Sequence, residues 1–118
     1  MRKVYYLSTC DTCKRIIKEL GIGEEFEYQD IKTDAITKKQ LEEMKALAGN
    51  YEVLFSRVAR KYKERGLKDK KLLEEDYCVL ILEEYTFLKR PVFIIDGEIF
   101  IGNSKKNIEA VKQKMAES

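Results

Sequence analysis

Hydrophobic and polar positions follow two periods along this chain, and each change of period marks an element. Val4-Tyr5-Tyr6-Leu7 is a short β-branched and aromatic run bounded by Ser8-Thr9, the pattern of a buried strand. From Asp11 the period lengthens: Cys13, Ile16, Ile17 and Leu20 fall at i, i+3, i+4 and i+7, one face of a helix that Gly21 ends. Phe26 and Tyr28 then alternate with Glu25, Glu27 and Gln29, predicting a second, more exposed strand that finishes near Ile31. Strand, helix and strand within about thirty residues is the length of a βαβ unit.

The middle of the chain keeps the helical period. Thr37 followed by Gln40 is a capping-box pattern, and Leu41, Met44, Leu47 and Ala48 give a helix face ending at Gly49. Val53, Leu54, Phe55, Val58 and Tyr62 continue the spacing to Gly66. Leu72, Leu73 and the stretch from Tyr77 to Leu88 predict further helix, with Asp76 as N-cap. After Pro91 the strand pattern returns. Val92-Phe93-Ile94-Ile95 and Glu98-Ile99-Phe100-Ile101 flank Asp96-Gly97, a turn pair suited to type I′ geometry, where both central residues need φ > 0. Ile108, Val111 and Met115 make a closing amphipathic helix capped by Asn103 or Ser104.

The order is therefore βαβ, a helical block, then ββα, an α/β arrangement. The two strand-bearing ends are expected to share one sheet, because neither covers its apolar faces alone. Without a Pro/Gly/Ser linker, residues 1–118 read as a single domain. Segments 1–32 and 89–118 supply the sheet part, and 33–88 the helical insert.

Composition changes this picture by what it excludes. A chain of 118 residues fits one domain of the usual ~100–200. With 23 basic against 21 acidic residues there is no global field of the kind that binds nucleic acid. No apolar run approaches the roughly 20 residues of a membrane span, and the N-terminus runs directly into strand-like sequence. No leader is expected, and a cytoplasmic location is. The chain has no His, which removes Ser-His-Asp and Cys-His catalysis and imidazole metal ligands. Three Cys cannot make a Cys₄ site. No metal site is expected, and cysteine is the residue whose pKa can be brought near neutrality.

Cys10-Asp11-Thr12-Cys13 stands where the first predicted strand gives way to the first predicted helix. There, the unpaired N–H groups of residues 11 to 13 and the positive end of the helix dipole face the Cys10 sulfur and favour its thiolate. Such placement lowers a thiol pKa from about 8.5 into the range of about 3.5–7.5. Lys14 and Arg15 add positive charge, and the Asp11 and Thr12 amides complete a nest for an anion. Cys13, one helical turn on, is within disulfide reach. Cys10 can attack an electrophile and Cys13 can displace the adduct. The competing reading is a pair of small buried residues, or half of a metal site that lacks its second cluster. Cys78, within Tyr77-Cys78-Val79-Leu80, reads as core. The basic stretch from Arg57 through Lys71 reads as a solvated face.

Three segments together resemble the ArsC/Spx family of thioredoxin-fold proteins: Tyr6-Leu7-Ser8-Thr9-Cys10-Asp11-Thr12-Cys13-Lys14, Leu54-Phe55-Ser56-Arg57, and Arg90-Pro91-Val92-Phe93-Ile94-Ile95-Asp96. The resemblance covers nearly the whole chain. It implies a thioredoxin-like fold with a helical insertion, a cis Arg90–Pro91 bond shaping the site, and Cys10 as the reactive thiol. Arg90, with Arg57, would stabilise the anion. The activity implied is that of an arsenate reductase-like thiol–disulfide oxidoreductase acting on a small oxyanion or disulfide. It would need no resident cofactor, only a thiol reductant such as glutathione, glutaredoxin or thioredoxin. The third arginine of arsenate reductases should stand near Ile101 or Gly102 and is absent; Lys105 and Lys106 could replace it only as point charges. Spx-type regulators share the paired cysteines and a glycine eight residues before the middle arginine, as Gly49 stands to Arg57. On that alternative the chain would be a redox-sensing regulator binding the RNA polymerase α subunit.

Overall fold

The computed structural model describes residues 1–117, and their contacts divide into two compact units: residues 1–35 with 90–117, and Ile36–Lys89. In the first, strand β1 (Arg2–Tyr6) lies inside a four-stranded sheet of order β2-β1-β3-β4. Helix α1 (Asp11–Leu20) links β1 to its parallel partner β2 (Glu27–Asp30). On its other side β1 pairs antiparallel with β3 (Val92–Ile95), which forms a hairpin with β4 (Glu98–Ile101). Helix α5 (Lys105–Ala116) follows the hairpin, capped by the Ser104 hydroxyl, which accepts from Asn107 N at 3.1 Å. The two ends of the sequence do share one sheet, in the mixed α/β topology that the family resemblance implies.

Strand position explains strand composition. β3 is an inner strand, and all four of its residues are buried, as a continuous apolar run requires. One face of the sheet packs Val4, Phe93 and Ile95 against Ile16 of α1 and Ile108 and Val111 of α5, with Phe26 completing the cluster. Phe26 meets Phe93 edge-on, ring centroids 6.2 Å apart. The hairpin turn takes positive φ at both Asp96 (48°) and Gly97 (87°), as the type I′ reading demands.

The alternation predicted for β2 differs in phase. Phe26 belongs to the turn before the strand, its N–H donating to Gly23 O at 3.2 Å. Within the strand Gln29 is buried and Tyr28 exposed. The buried amide is satisfied locally, since Gln29 Nε2 donates to Asp34 O at 3.0 Å. β2 is an edge strand, where a ring can lie outward at little cost; Tyr28 rests edge-on against Tyr6.

The second unit opens with α2 (Lys38–Ala48), whose Thr37–Gln40 capping box forms in both directions at 3.1 Å; Gly49 (φ 103°) ends the helix. The long helix expected from Val53 to Gly66 does not form. A 3₁₀ turn (Glu52–Leu54) is followed by extended backbone at Phe55 and then by the short α3 (Arg60–Glu64). Phe55 pairs in an isolated β-bridge with Leu88: Ser56 N donates to Phe87 O at 2.7 Å and Lys89 N to Leu54 O at 2.8 Å. The apolar residues 53–55 are drawn into this bridge and an aromatic cluster of Phe55, Tyr62, Tyr77 and Phe87, which overrides their helical spacing.

Helix α4 (Glu74–Glu83) begins earlier than expected, with Leu73 at the N-cap. Asp76 is the third helical residue instead, its carboxylate reaching back to accept from Leu73 N at 2.8 Å. Three acidic side chains in that first turn favour the positive helix end. The helix stops at Glu84, whose carboxylate accepts from Thr86 N and starts a 3₁₀ turn (Tyr85–Phe87) in place of continued helix. Cys78 is buried, as expected for a core residue.

Phe93 is fully buried and tied to both covering helices through one cluster. Phe93→Ala should therefore lower unfolding stability by about 3–5 kcal/mol. Val58, 95% exposed, should change stability by less than about 0.5 kcal/mol when replaced by Ser. Urea unfolding midpoints for the two variants check both values.

Candidate active site

The site is assembled where one end of the sheet meets α1. After Tyr6 the chain leaves β1 through Leu7-Ser8-Thr9, and Cys10 N donates back to Leu7 O at 3.1 Å. Cys10 is extended (φ −96°, ψ 112°), while its carbonyl accepts the first helical bond, from Lys14 N at 3.1 Å. It is therefore the N-cap of α1, the position whose side chain faces the unpaired amides. The half-exposed sulfur makes no capping hydrogen bond.

Sheet register delivers the cation. Tyr5 stands opposite Val92 in the antiparallel β1–β3 pair, so the residues before Val92 lie at the end of the sheet where β1 runs into the Cys10 turn. Those residues are Arg90 and the buried Pro91, joined by a cis peptide bond. Pro91 O accepts from Gly102 N at 2.9 Å, tying the end of β4 to the same place.

Burial opposes ionisation of Cys10, but it is outweighed. The Cys13 N–H, the Cys13 thiol, the Arg90 guanidinium and the Thr12 N–H all favour the anion and bring the thiol below its ordinary pKa. Cys13 behaves oppositely. Its side chain is fully buried, and burial, followed by hydrogen bonding to Cys10 and the Cys10 charge, outweighs the favourable Leu7 amide and Arg90 and pushes it up to about 11. The pair is thus a half-exposed sulfur whose thiol is shifted toward ionisation and a buried one shifted away from it, both unbridged.

Of the residues singled out from sequence, Cys10, Thr12, Cys13 and Arg90 act on one another here, with Pro91 at the same sheet end. Asp11, the first residue of α1, is exposed. The cation acting on Cys10 is Arg90 rather than the exposed Lys14 and Arg15, whose charges stand in solvent. Arg57 lies in the second unit, where its Nη2 donates to Glu52 Oε2 and to Tyr77 Oη, each at 2.9 Å, and its guanidinium covers the Phe55 and Tyr77 rings.

The sequence reading passed over Ser8 and Asp30. Ser8 Oγ donates to Asp30 Oδ2, and that bond, against a small opposing effect of burial, holds the carboxyl below its usual range. Asp30 closes β2 opposite Tyr6, so this bond fastens the turn before Cys10 to the neighbouring strand. The signal was available: a parallel βαβ register brings the ends of both strands together.

Comparison with known proteins agrees with this architecture. Residues 5–111 match the sequence profile of the ArsC family. An uncharacterized protein from Haemophilus influenzae is 27% identical over 112 residues, covering 93% of this chain and 97% of its own. Among solved structures, a Staphylococcus aureus protein is 26% identical with a TM-score of 0.72, over 93% of this chain and 97% of that one. The arsenate reductase from Vibrio cholerae has a TM-score of 0.75 at 16% identity, with 95% of each chain covered.

Alkylation of Cys10 by iodoacetamide should reach half its maximal rate below the ~8.5 of a free thiol, and Arg90→Met should move that midpoint upward. Cys13 in a Cys10→Ser variant should remain slow to alkylate, because burial persists. Stability carries the same information. Between the ordinary thiol value and about 11 the unfolded chain has released the Cys13 proton while the folded chain keeps it. Unfolding free energy should therefore fall as pH rises through that interval, and Cys13→Ala should flatten this part of the slope in denaturant titrations.

Proposed function

Since the chain belongs to the ArsC family, we propose that it is a thiol–disulfide oxidoreductase in which Cys10 is the nucleophile and Cys13 the resolving thiol. The observation that carries this reading is the placement of two cysteines one helical turn apart, Cys10 half-exposed at the helix N-cap and Cys13 buried, with their thiol pKa values shifted in opposite directions. A nucleophile needs its thiolate at working pH, whereas a resolving thiol should stay protonated until an adduct exists.

With a disulfide substrate, the Cys10 thiolate attacks one sulfur, forming a mixed disulfide and releasing the other half as a thiolate. Once Cys10 is in that bond its negative charge is gone, and with it part of what raises Cys13. Cys13 then loses its proton and attacks the Cys10 sulfur, expelling the second thiolate and leaving a Cys10–Cys13 disulfide. Two electrons have passed to the substrate. A thiol reductant (glutathione, glutaredoxin or thioredoxin) returns them. Arg90 and the Thr12 and Cys13 amides lower the energy of the attacking and departing Cys10 anion.

A disulfide is favoured over arsenate as substrate. A multiply charged tetrahedral oxyanion such as arsenate is best held by several bidentate arginines. Here the third, expected near Ile101 or Gly102, is absent, Lys105 and Lys106 are exposed in the first turn of α5, and Arg57 is engaged by Glu52 and Tyr77. The reaction needs no resident cofactor.

Turnover of a small disulfide, followed as consumption of the thiol reductant, should vanish in Cys10→Ser. In Cys13→Ser it should stall with one substrate half attached, a mass increase visible on the intact protein. Redox-dependent capture of the RNA polymerase α subunit without any turnover would overturn the enzyme reading in favour of a regulator.

A further inference from the structure

A groove of about 470 Å³ opens between α1 and strands β1 and β2, within the range of small-ligand sites. Lys14, Ile17 and Lys18 line one wall, and Tyr6, Tyr28 and Ile22 the other. Its relation to the reactive sulfur follows from helix geometry. At about 100° per residue, Ile17, Cys10, Gly21 and Lys14 fall in one stripe within roughly 60°, with Lys18 at its margin. The buried face defined by Cys13 and Ile16 lies to the other side of Ile17. At about 1.5 Å per residue, Lys14 and Lys18 stand roughly 6 and 12 Å along the axis from Cys10. The groove therefore begins about one helical turn from the thiolate and runs away from it.

Its charge is one-sided. Among the described residues neither Lys14 nor Lys18 has an ion-pair partner, no lining residue is acidic, and three of the acids nearby are engaged elsewhere. Glu19 pairs with Lys112 at 3.2 Å and Glu27 with Lys3 at 3.1 Å. Glu25, on the Tyr28 side, has its carboxylate on Gly23 N. Two exposed ammonium groups above an apolar floor, with two phenol rings opposite, suit a ligand that is partly apolar and bears carboxylates.

We propose that this groove selects the disulfide substrate, and that it takes the carboxylate-bearing arm of a small acidic peptide disulfide while the sulfurs lie at Cys10. The inference rests on the proposed nucleophilic role of Cys10 and adds the chemical class of its partner. Bond changes are those of the first exchange step: the Cys10–S–S–R bond forms, the substrate S–S bond breaks, and RS⁻ leaves. Lys18 is a binding residue about two turns from the sulfur. It sets which disulfide arrives and takes no part in the exchange.

Three symmetrical disulfides test this: oxidised glutathione (acidic), 2-hydroxyethyl disulfide (neutral) and cystamine (cationic). Each is reacted with the reduced protein, and formation of the mixed disulfide on Cys10 is timed. Lys18→Glu should slow oxidised glutathione by about tenfold, leave the neutral probe within about twofold and speed cystamine. Lys18→Ala should fall between, and added salt should erase the differences. The alkylation midpoint of Cys10 should stay unchanged, showing that only recognition was altered. Equal effects on all three probes, or none on oxidised glutathione, would overturn the groove as the selecting element. If the wild-type protein fails to react even with the neutral disulfide, it is the nucleophilic role of Cys10 that fails instead.

Discussion

A sulfur at the N-cap of a helix is subject to two opposed demands, and the site depends on how they balance. Partial burial disfavours the Cys10 thiolate, while the amides that open α1, the Cys13 thiol and the Arg90 guanidinium favour it and prevail. A helix has spare N–H groups only in its first turn, so the advantage is confined to that one place. Three residues on, the chain has turned onto the buried face and the same chemical group is held as a neutral thiol. One turn of helix separates donor-rich, half-exposed surroundings from apolar ones, and that difference divides labour between two otherwise identical side chains.

Such a balance needs a rigid frame. The parallel β1–β2 pair, fastened at its end by Ser8 and Asp30, fixes the turn that presents Cys10. The antiparallel β1–β3 pair fixes where Arg90 enters. Both pairs stand on a cluster built from Val4, Ile16, Phe93, Ile95, Ile108 and Val111, contributed by both ends of the sequence. The charge acting on the thiol is thus set by sheet register, and register is set by which residues must face that cluster.

The second unit shows the same physics with another outcome. Its aromatic cluster around Phe55 recruits Arg57 as a lid over two rings and pairs it with Glu52. A family motif had marked this arginine as an anion ligand. Its local partners are a carboxylate, a phenol and two ring faces, which satisfy a guanidinium without any substrate.

Much was legible in the chain itself because it rests on local periodicity and local chemistry. The strand-to-helix switch at Cys10, the capping box at Thr37, the hairpin at Asp96-Gly97 and the burial of Cys78 each depend on a few consecutive residues. Tertiary packing alone decided the rest. It broke the helical spacing of residues 53–66, where Phe55 bridges to Leu88 and both are fully buried, and it inverted the phase of β2, where an edge strand can leave Tyr28 outside. It also made Arg90, and not the adjacent Lys14 or Arg15, the cation that acts on the thiol. Sequence neighbours of a helix-start residue project into water and are screened. A residue far along the chain, brought in by strand pairing at the sheet's end, acts at close range where screening is weak.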